Sequence, residues 1–427
     1  MSILFFFLTD GFRLVPETAM ETGIGFSKGP DFAIFIALGM ITVDAILKRH
    51  YFKVDTLARY LIVFGTFLVV CILNSKYIVG LSWSEVLRSS RFQFLWVLYF
   101  VFRNMESKQL KNILDICYYL TLATSVLYVG QLIIGETILN EGAETFTTFL
   151  GQRVKRFYNQ PYLILFFSFY TLYNNPIKGP WRYVATVVLL ITYFGALHRS
   201  WNLLFLFAIL VGYIINLSKV KKVKIFTIAA IILVPIGMFS GYKFLQSRTF
   251  QDVKSVLSGD FLDVDFDLSD LEDATFAFRM GHLVERMEYL SEKPQSQILG
   301  AGLITEDSKK TDKMFDFKVG LVDELTENTI QLDTSDISYS LLFIWFGYLG
   351  TFLYMMIYFY LFYYFYKKRK NKYAFISFLF LFVSFGVSFF SANFVIAVNY
   401  VVLLITYCIV QDEKQIEEPK ELHELHE

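Results

Sequence analysis

The sequence predicts an all-α polytopic membrane protein with about 12 transmembrane helices and one large extracytoplasmic loop. Three observations carry that fold class. Of 427 residues, 55% are hydrophobic and only 18% charged, where a soluble domain carries about a quarter. The apolar residues fall into successive runs of bilayer-spanning length. Basic residues gather in alternate short loops between those runs.

The runs are Ser2–Val15, Asp31–Leu47, Leu57–Leu73, Ser84–Phe102, Ile113–Gly135, Phe157–Tyr173, Tyr183–Leu197, Trp201–Leu217, Ile225–Ser240, Ile337–Tyr366, Tyr373–Phe390 and Ala392–Val410. Asp10 and Arg13 interrupt the first, which reads as a short or re-entrant helix. With no basic leader and no small-residue cleavage site, it is not expected to be a cleaved signal peptide.

Orientation follows from Lys48, Arg49, Lys53 and Arg59 in one loop and Arg103, Lys108 and Lys111 in a second. Lys178 and Arg182 mark a third, Lys219 to Lys224 a fourth, and Lys367 to Lys372 a fifth. With twelve spans all five share the cytoplasmic side, as do both termini. The acidic tail 411–427 then reads as a disordered cytoplasmic extension. Residues 1–240 hold the first nine spans, 241–336 the outer loop and 337–410 the last three. Within the loop, Phe276, Met280, Leu283, Met287 and Leu290 have helical spacing, ending before Pro294.

Several function classes are excluded. Equal counts of 39 basic and 39 acidic residues rule out a nucleic-acid binder driven by bulk positive charge. Cys71, Cys117 and Cys408 sit in apolar runs without metal or disulfide spacing. Asp263, Asp265 and Asp267 start a calcium-loop pattern, but Leu268 and Ala274 replace its glycine and glutamate. Gly300-Ala301-Gly302 lacks the strand and helix of a nucleotide loop.

What stands out is basic charge on the outer side: Arg88, Arg91, Arg153, Lys155, Arg156, Arg199, Arg279 and Arg286. Arg279, His282 and Arg286 fall on one helical face. Arginine's planar fork suits a phosphate or pyrophosphate. The competing reading is snorkelling to headgroups, or pairing with loop acids such as Glu141 and Glu144. Arg199 lies in too tight a turn for loop solvation alone.

Three segments, in this order, resemble the O-antigen polymerase and O-antigen ligase superfamily of bacterial polysaccharide assembly. They are Leu197-His198-Arg199-Ser200-Trp201-Asn202, Phe278-Arg279-Met280 through Pro294 to Gly300-Ala301-Gly302, and Asp336-Ile337-Ser338-Tyr339 into Phe346-Gly347-Tyr348-Leu349-Gly350. Gln152-Arg153 to Asn159-Gln160-Pro161 is a looser fourth. The resemblance implies a glycosyltransferase-C-like fold in the bacterial cytoplasmic membrane. It also implies transfer of a glycan from a polyprenyl-pyrophosphate carrier, without metal, nucleotide sugar or other cofactor. Arg199 and Arg279 would contact the pyrophosphate, with Arg153, Arg156 and Arg286 as further contacts. The implied partners are the lipid-linked oligosaccharide, membrane lipid, a chain-length regulator and a flippase.

Ligases of that family carry a histidine where this chain has Asp336. The expectation is therefore a polymerase of repeat units. Asp336 is either the base for the acceptor hydroxyl or the residue capping the tenth span. His282 is the other candidate for proton transfer, set against a structural role. Aromatics Phe157, Tyr158, Trp201 and Tyr339 are candidates to line the sugar and lipid paths, against ordinary packing. The rival readings are a ligase with an unusual base and a lipid-linked sugar transporter. The latter is disfavoured because no internal repeat is visible and only Pro235 lies deep in a span.

Overall fold

The computed structural model describes residues 2–15, 29–47, 54–140, 144–149, 152–216, 275–304, 308, 310–315, 337–389 and 391–424. The expected span Ile225–Ser240 and the acidic run Asp260–Asp273 lie outside the described residues. Most described residues are helical. The order begins with α1 (Ser2–Leu8), α2 (Gly29–Leu47), α3 (Thr56–Tyr77), α4 (Trp83–Ser90), α5 (Leu98–Phe102) and α6 (Ser107–Ile134). A hairpin of β1 (Glu144–Phe149) and β2 (Gln152–Phe157) precedes α7 (Ile164–Asn174), α8 (Trp181–Gly195) and α9 (Arg199–Asn216). Then come α10 (Thr275–Ser291), α11 (Pro294–Leu299), α12 (Thr311–Met314), α13 (Ser338–Lys367), α14 (Lys372–Val387) and α15 (Ala397–Glu424).

Three described helices, α3, α6 and α13, are long and apolar enough to cross a membrane, and shorter apolar helices lie within α2, α8, α9 and α14. The centre of the bundle is the first half of α15. Every residue from Ala397 to Val410 is buried, among α5, α6, α13 and α14. A helix apolar all round is stable only when enclosed like this. Helices nearer the rim present aliphatic faces outward, with Val184, Val187 and Ile191 on α8 and Leu203, Leu206 and Leu210 on α9 exposed.

Four features differ from the expectation. The chain is not wholly α: Glu144 to Phe157 form an antiparallel hairpin, with Thr145 opposite Arg156 and Thr147 opposite Val154. Its threonines and phenylalanines favour extended backbone. The expected span starting at Phe157 is consequently shorter. Pro161 disfavours helix at Gln160, Leu163 is left-handed (φ 61°), and α7 begins only at Ile164. The expected span Ser84–Phe102 is three pieces, with a 3-10 turn Arg91–Val97 between α4 and α5. There Arg91 turns to meet Asp31 at 2.5 Å. Finally, the tail is helical: α15 continues to Glu424, its exit fastened by Arg103–Asp412 at 3.1 Å and Lys111–Glu413 at 2.6 Å.

Those ion pairs define one end of the bundle. Tyr407 donates to Asp55, the N-cap of α3, at 3.0 Å, and Asn371 reaches Glu413. Arg103, Lys111 and Asn371, from two of the loops marked by basic residues, thus meet at one place.

Candidate functional site

The opposite end is held by a series of contacts. Asn140 donates its backbone N–H to the Arg13 carbonyl at 3.0 Å, and Arg13 lies over the Tyr162 ring. Tyr162 donates to Asp10, beside which Gly29 passes closely. Asp31 follows, paired with Arg91. Next comes α4, whose Glu85 accepts from Ser308 at 3.0 Å. The chain around Ser308 packs beside α10 and α11: Lys310 donates to the Val79 carbonyl and Leu303 to Ser75, while Gln295 donates to Asn74 at 2.9 Å. Arg91, read in the sequence as an outer arginine, therefore has a carboxylate partner 60 residues away.

At this end the hairpin is locked to the helices by two buried amides. Gln131, at the end of α6, accepts the backbone N–H groups of Ile138 and Leu139 at 2.9 and 3.1 Å. Its own amide donates to Asn159 at 2.8 Å, and Asn159 donates to the Leu139 carbonyl at 2.6 Å. Gln160 donates to the carbonyls of Thr192 and Tyr193. The Asn159-Gln160-Pro161 segment is thus a clasp between three elements. Asn159→Ala would leave a buried amide and carbonyl unmet, and is expected to cost about 2 kcal/mol. The thermal unfolding midpoint of detergent-solubilised protein checks this; an unchanged midpoint would refute it.

The clasp presents Arg156 to the turn between α8 and α9. Its Nε donates to the Ala196 carbonyl at 2.7 Å, and Nη2 lies 2.6 Å from Nδ1 of His198. The guanidinium also stacks on Tyr158, 4.5 Å from the ring centroid. The His198 ring lies between Tyr158 and Trp201, with centroids 6.1 and 6.4 Å away. Arg199, the first residue of α9, follows directly. Arg153 lies on β2 opposite Thr148.

A second cluster sits where α10 and α11 meet α13. His282 is fully buried, with Nδ1 2.8 Å from the Ser340 hydroxyl. Arg286 is also fully buried, paired with Glu285 and centred 4.1 Å from the Phe315 ring. Arg279 lies two turns earlier in α10. Asp336 lies outside the described residues, one position before Ile337, the N-cap of α13.

Helix α13 is broken at Gly347 (φ 64°, ψ −169°), and Gly300 presses into the break. The break frees the Ile344 carbonyl, which accepts the Ala301 N–H at 2.8 Å. Trp345 donates to the Ile304 carbonyl at 2.8 Å. The glycine-x-glycine segment is therefore a backbone plug in a broken helix, placing α10 against the start of α13.

The structure thus joins the first segment to the looser fourth, through Arg156, and the second to the third, through His282–Ser340 and Gly300–Gly347. Sequence reasoning gave His198 no role. Its partner stands 42 residues away, a separation with no periodic signal. Among the described residues no group of three or more histidine, cysteine, aspartate or glutamate side chains is arranged to hold a metal ion.

Fold and site together define a mostly helical protein, compatible with a helical membrane protein, that carries arginine–histidine clusters at one end of its bundle. The chain matches no protein-family model and no curated protein sequence.

Proposed function

We propose that this protein is a glycosyltransferase of the bacterial cytoplasmic membrane that polymerises polyprenyl-pyrophosphate-linked oligosaccharide repeat units at the outer face. The observation that carries the reading is the gathering of arginine and histidine from distant segments at one end of the bundle, opposite the end where Arg103 and Lys111 pair with the C-terminal helix. Charge concentrated away from the basic-loop end calls for an anionic ligand there or a partner for each charge.

In the reaction a hydroxyl of the acceptor sugar attacks the anomeric carbon of the donor glycan. The bond from that carbon to the carrier pyrophosphate breaks, and the hydroxyl proton passes to a base, for which Asp336 is the candidate. Arg199 and Arg279 offset the negative charge growing on the departing pyrophosphate. No step needs a metal or cofactor.

The test is electrophoresis of surface and lipid-linked polysaccharide from the native host with and without the gene, then with Arg199 variants at matched expression. Loss of the gene is expected to collapse the ladder to one repeat unit. Arg199→Ala is expected to leave chains of one or a few units, with Arg199→Lys between it and the parent. Full-length polymer from Arg199→Ala would remove that residue from the mechanism. Long chains accumulating on the carrier after deletion would indicate a ligase, and repeat units held at the inner face a transporter.

A further inference from the structure

We propose that the turn between α13 and α14 binds an anionic phospholipid of the leaflet at that end of the bundle, the cytoplasmic one in the orientation read from the basic loops. Lys367, Arg369 and Lys370 would hold the lipid phosphate, and the acyl chain would lie along an aromatic seam between the two helices. Such a site needs only a membrane around the bundle and is independent of the polymerase reading. Five cations, Lys367, Lys368, Arg369, Lys370 and Lys372, fall within six residues, whereas residues 337–411 contain no aspartate or glutamate. Among the described residues none of the five meets a carboxylate. Arg103 and Lys111, at the same end, take Asp412 and Glu413; from the turn it is the uncharged Asn371 that reaches Glu413.

The fold does not account for this charge. Cations at the end of α13 gain from the helix dipole, so Lys367 and Lys368 are favourably placed. Lys370 and Lys372 are not. Lys372 opens α14, whose first turn holds no acidic residue, and a helix N-terminus disfavours cations. Asn371 caps the Tyr373 and Ala374 N–H groups, so the positive end of that dipole and five side-chain charges share one turn. An anion there offsets both.

The side chains also set these charges at the level of lipid headgroups. Lys367 lies over the Tyr363 ring at 5.3 Å, Arg369 over Tyr366 at 4.5 Å and Lys372 over Tyr373 at 5.4 Å. Arg369 is fixed there by a bond from Nη1 to the Tyr366 carbonyl at 3.0 Å. Tyr363 and Tyr366 are exposed and end an outward stripe of α13 that includes Phe352 and Phe359. Exposed apolar side chains that give way to tyrosine and then lysine mark a helix passing from hydrocarbon into headgroups. Beside the stripe, Phe378 and Phe385 of α14 pack on Tyr366, Phe362 and Phe359, with ring centroids 5.0 to 5.6 Å apart. This seam leads away from the cations, so a lipid gains from its phosphate and its chain together, and a free phosphate from the first alone.

Native mass spectrometry of detergent-solubilised full-length protein, titrated with phosphatidylglycerol, tests this. Phosphatidylcholine with the same acyl chains is the reference, and the parent protein is expected to bind it at least tenfold more weakly. Lys367→Gln, Arg369→Gln and Lys370→Gln are each expected to weaken phosphatidylglycerol binding about fivefold, and together to abolish the preference. Lys367→Arg with Lys370→Arg keeps the charge and should keep the preference, which separates lost charge from lost folding. Lys108→Gln, which removes an exposed cation at the same end, should leave binding unchanged.

Equal binding of the two lipids by the parent protein, or an undiminished preference in the triple variant, would overturn the inference. Full displacement by glycerol 3-phosphate, which carries the anion without the chains, would do the same by making the site one for free phosphate. Combining Glu417→Gln, Glu418→Gln and Glu421→Gln in the acidic tail is expected to change nothing. A several-fold rise in phosphatidylglycerol binding there would make the tail the occupant of the turn, and the lipid site would fall.

Discussion

Replacing Gly347 with alanine is expected to destabilise the protein by about 4 kcal/mol, enough to deplete the folded protein recovered from membranes. Its backbone, at φ 64° and ψ −169°, occupies a region open essentially to glycine alone. The added Cβ would also stand 2.6 Å from the Gln297 carbonyl oxygen and 2.7 Å from that of Ser296. Both are main-chain atoms of α11, which cannot swing aside as a side-chain tip could. Relief would require withdrawing α11 from the break, and with it the bond from Ala301 to Ile344. Gly39→Ala is the control. Apart from its chain neighbours and its own helix backbone, no described atom lies within 4 Å of the added methyl, and it should be neutral or slightly stabilising as a helical alanine. Thermal midpoints in one detergent compare the two; equal midpoints for Gly347→Ala and the parent protein would refute the argument.

Arg286→Ala is expected to cost about 3 kcal/mol, because truncating a fully buried side chain leaves a cavity that its surroundings fill only in part. The side chain is fully buried, so its loss opens a void against Phe315 and removes the contact with Glu285. Arg286→Lys should restore little, since an ammonium cannot lie flat on the ring and meet the carboxylate together. The expected result is a lowered unfolding midpoint for both variants, with polymer yield falling only in proportion to folded protein. A parental midpoint combined with lost polymer would instead place Arg286 on the substrate. Arg199 variants differ in the outcome expected, since their effect should fall on chain length at matched expression.

The helical frame was largely legible because each span announces itself locally. The run Leu57–Leu73 lies within α3, Tyr183–Leu197 overlaps α8, and Ile337–Tyr366 coincides with α13 to within a residue at each end. Arg103 and Lys111, assigned to one loop from charge alone, both meet the exit of α15. The hairpin could have been found from the threonine and phenylalanine spacing of Glu144 to Phe149, but the apolar content of Phe157–Tyr173 drew attention to a helix instead. Pro161 and the amides before it were the overlooked signals. The disorder expected of the tail rested on composition, whereas Asp412 and Glu413 find cations contributed by other parts of the chain.

The candidate site divides in the same way. Residue types and rough placement were readable: arginines at Arg156, Arg199, Arg279 and Arg286, a histidine on an amphipathic helix, and glycines ahead of a long apolar span. Partners were not. Whether Arg286 lies on Phe315, whether Arg91 pairs with Asp31, and whether Arg156 reaches His198 depend on groups far away in the chain.

The physical reason is one of range. Helix formation in an apolar run satisfies its own backbone hydrogen bonds, and loop charge is counted without reference to a neighbour, so both are written in contiguous residues. Burial of a charge, the partner of a ring and the break in α13 at Gly347 are settled by atoms brought together from segments tens of residues apart. Only packing selects those atoms from the many that composition would allow.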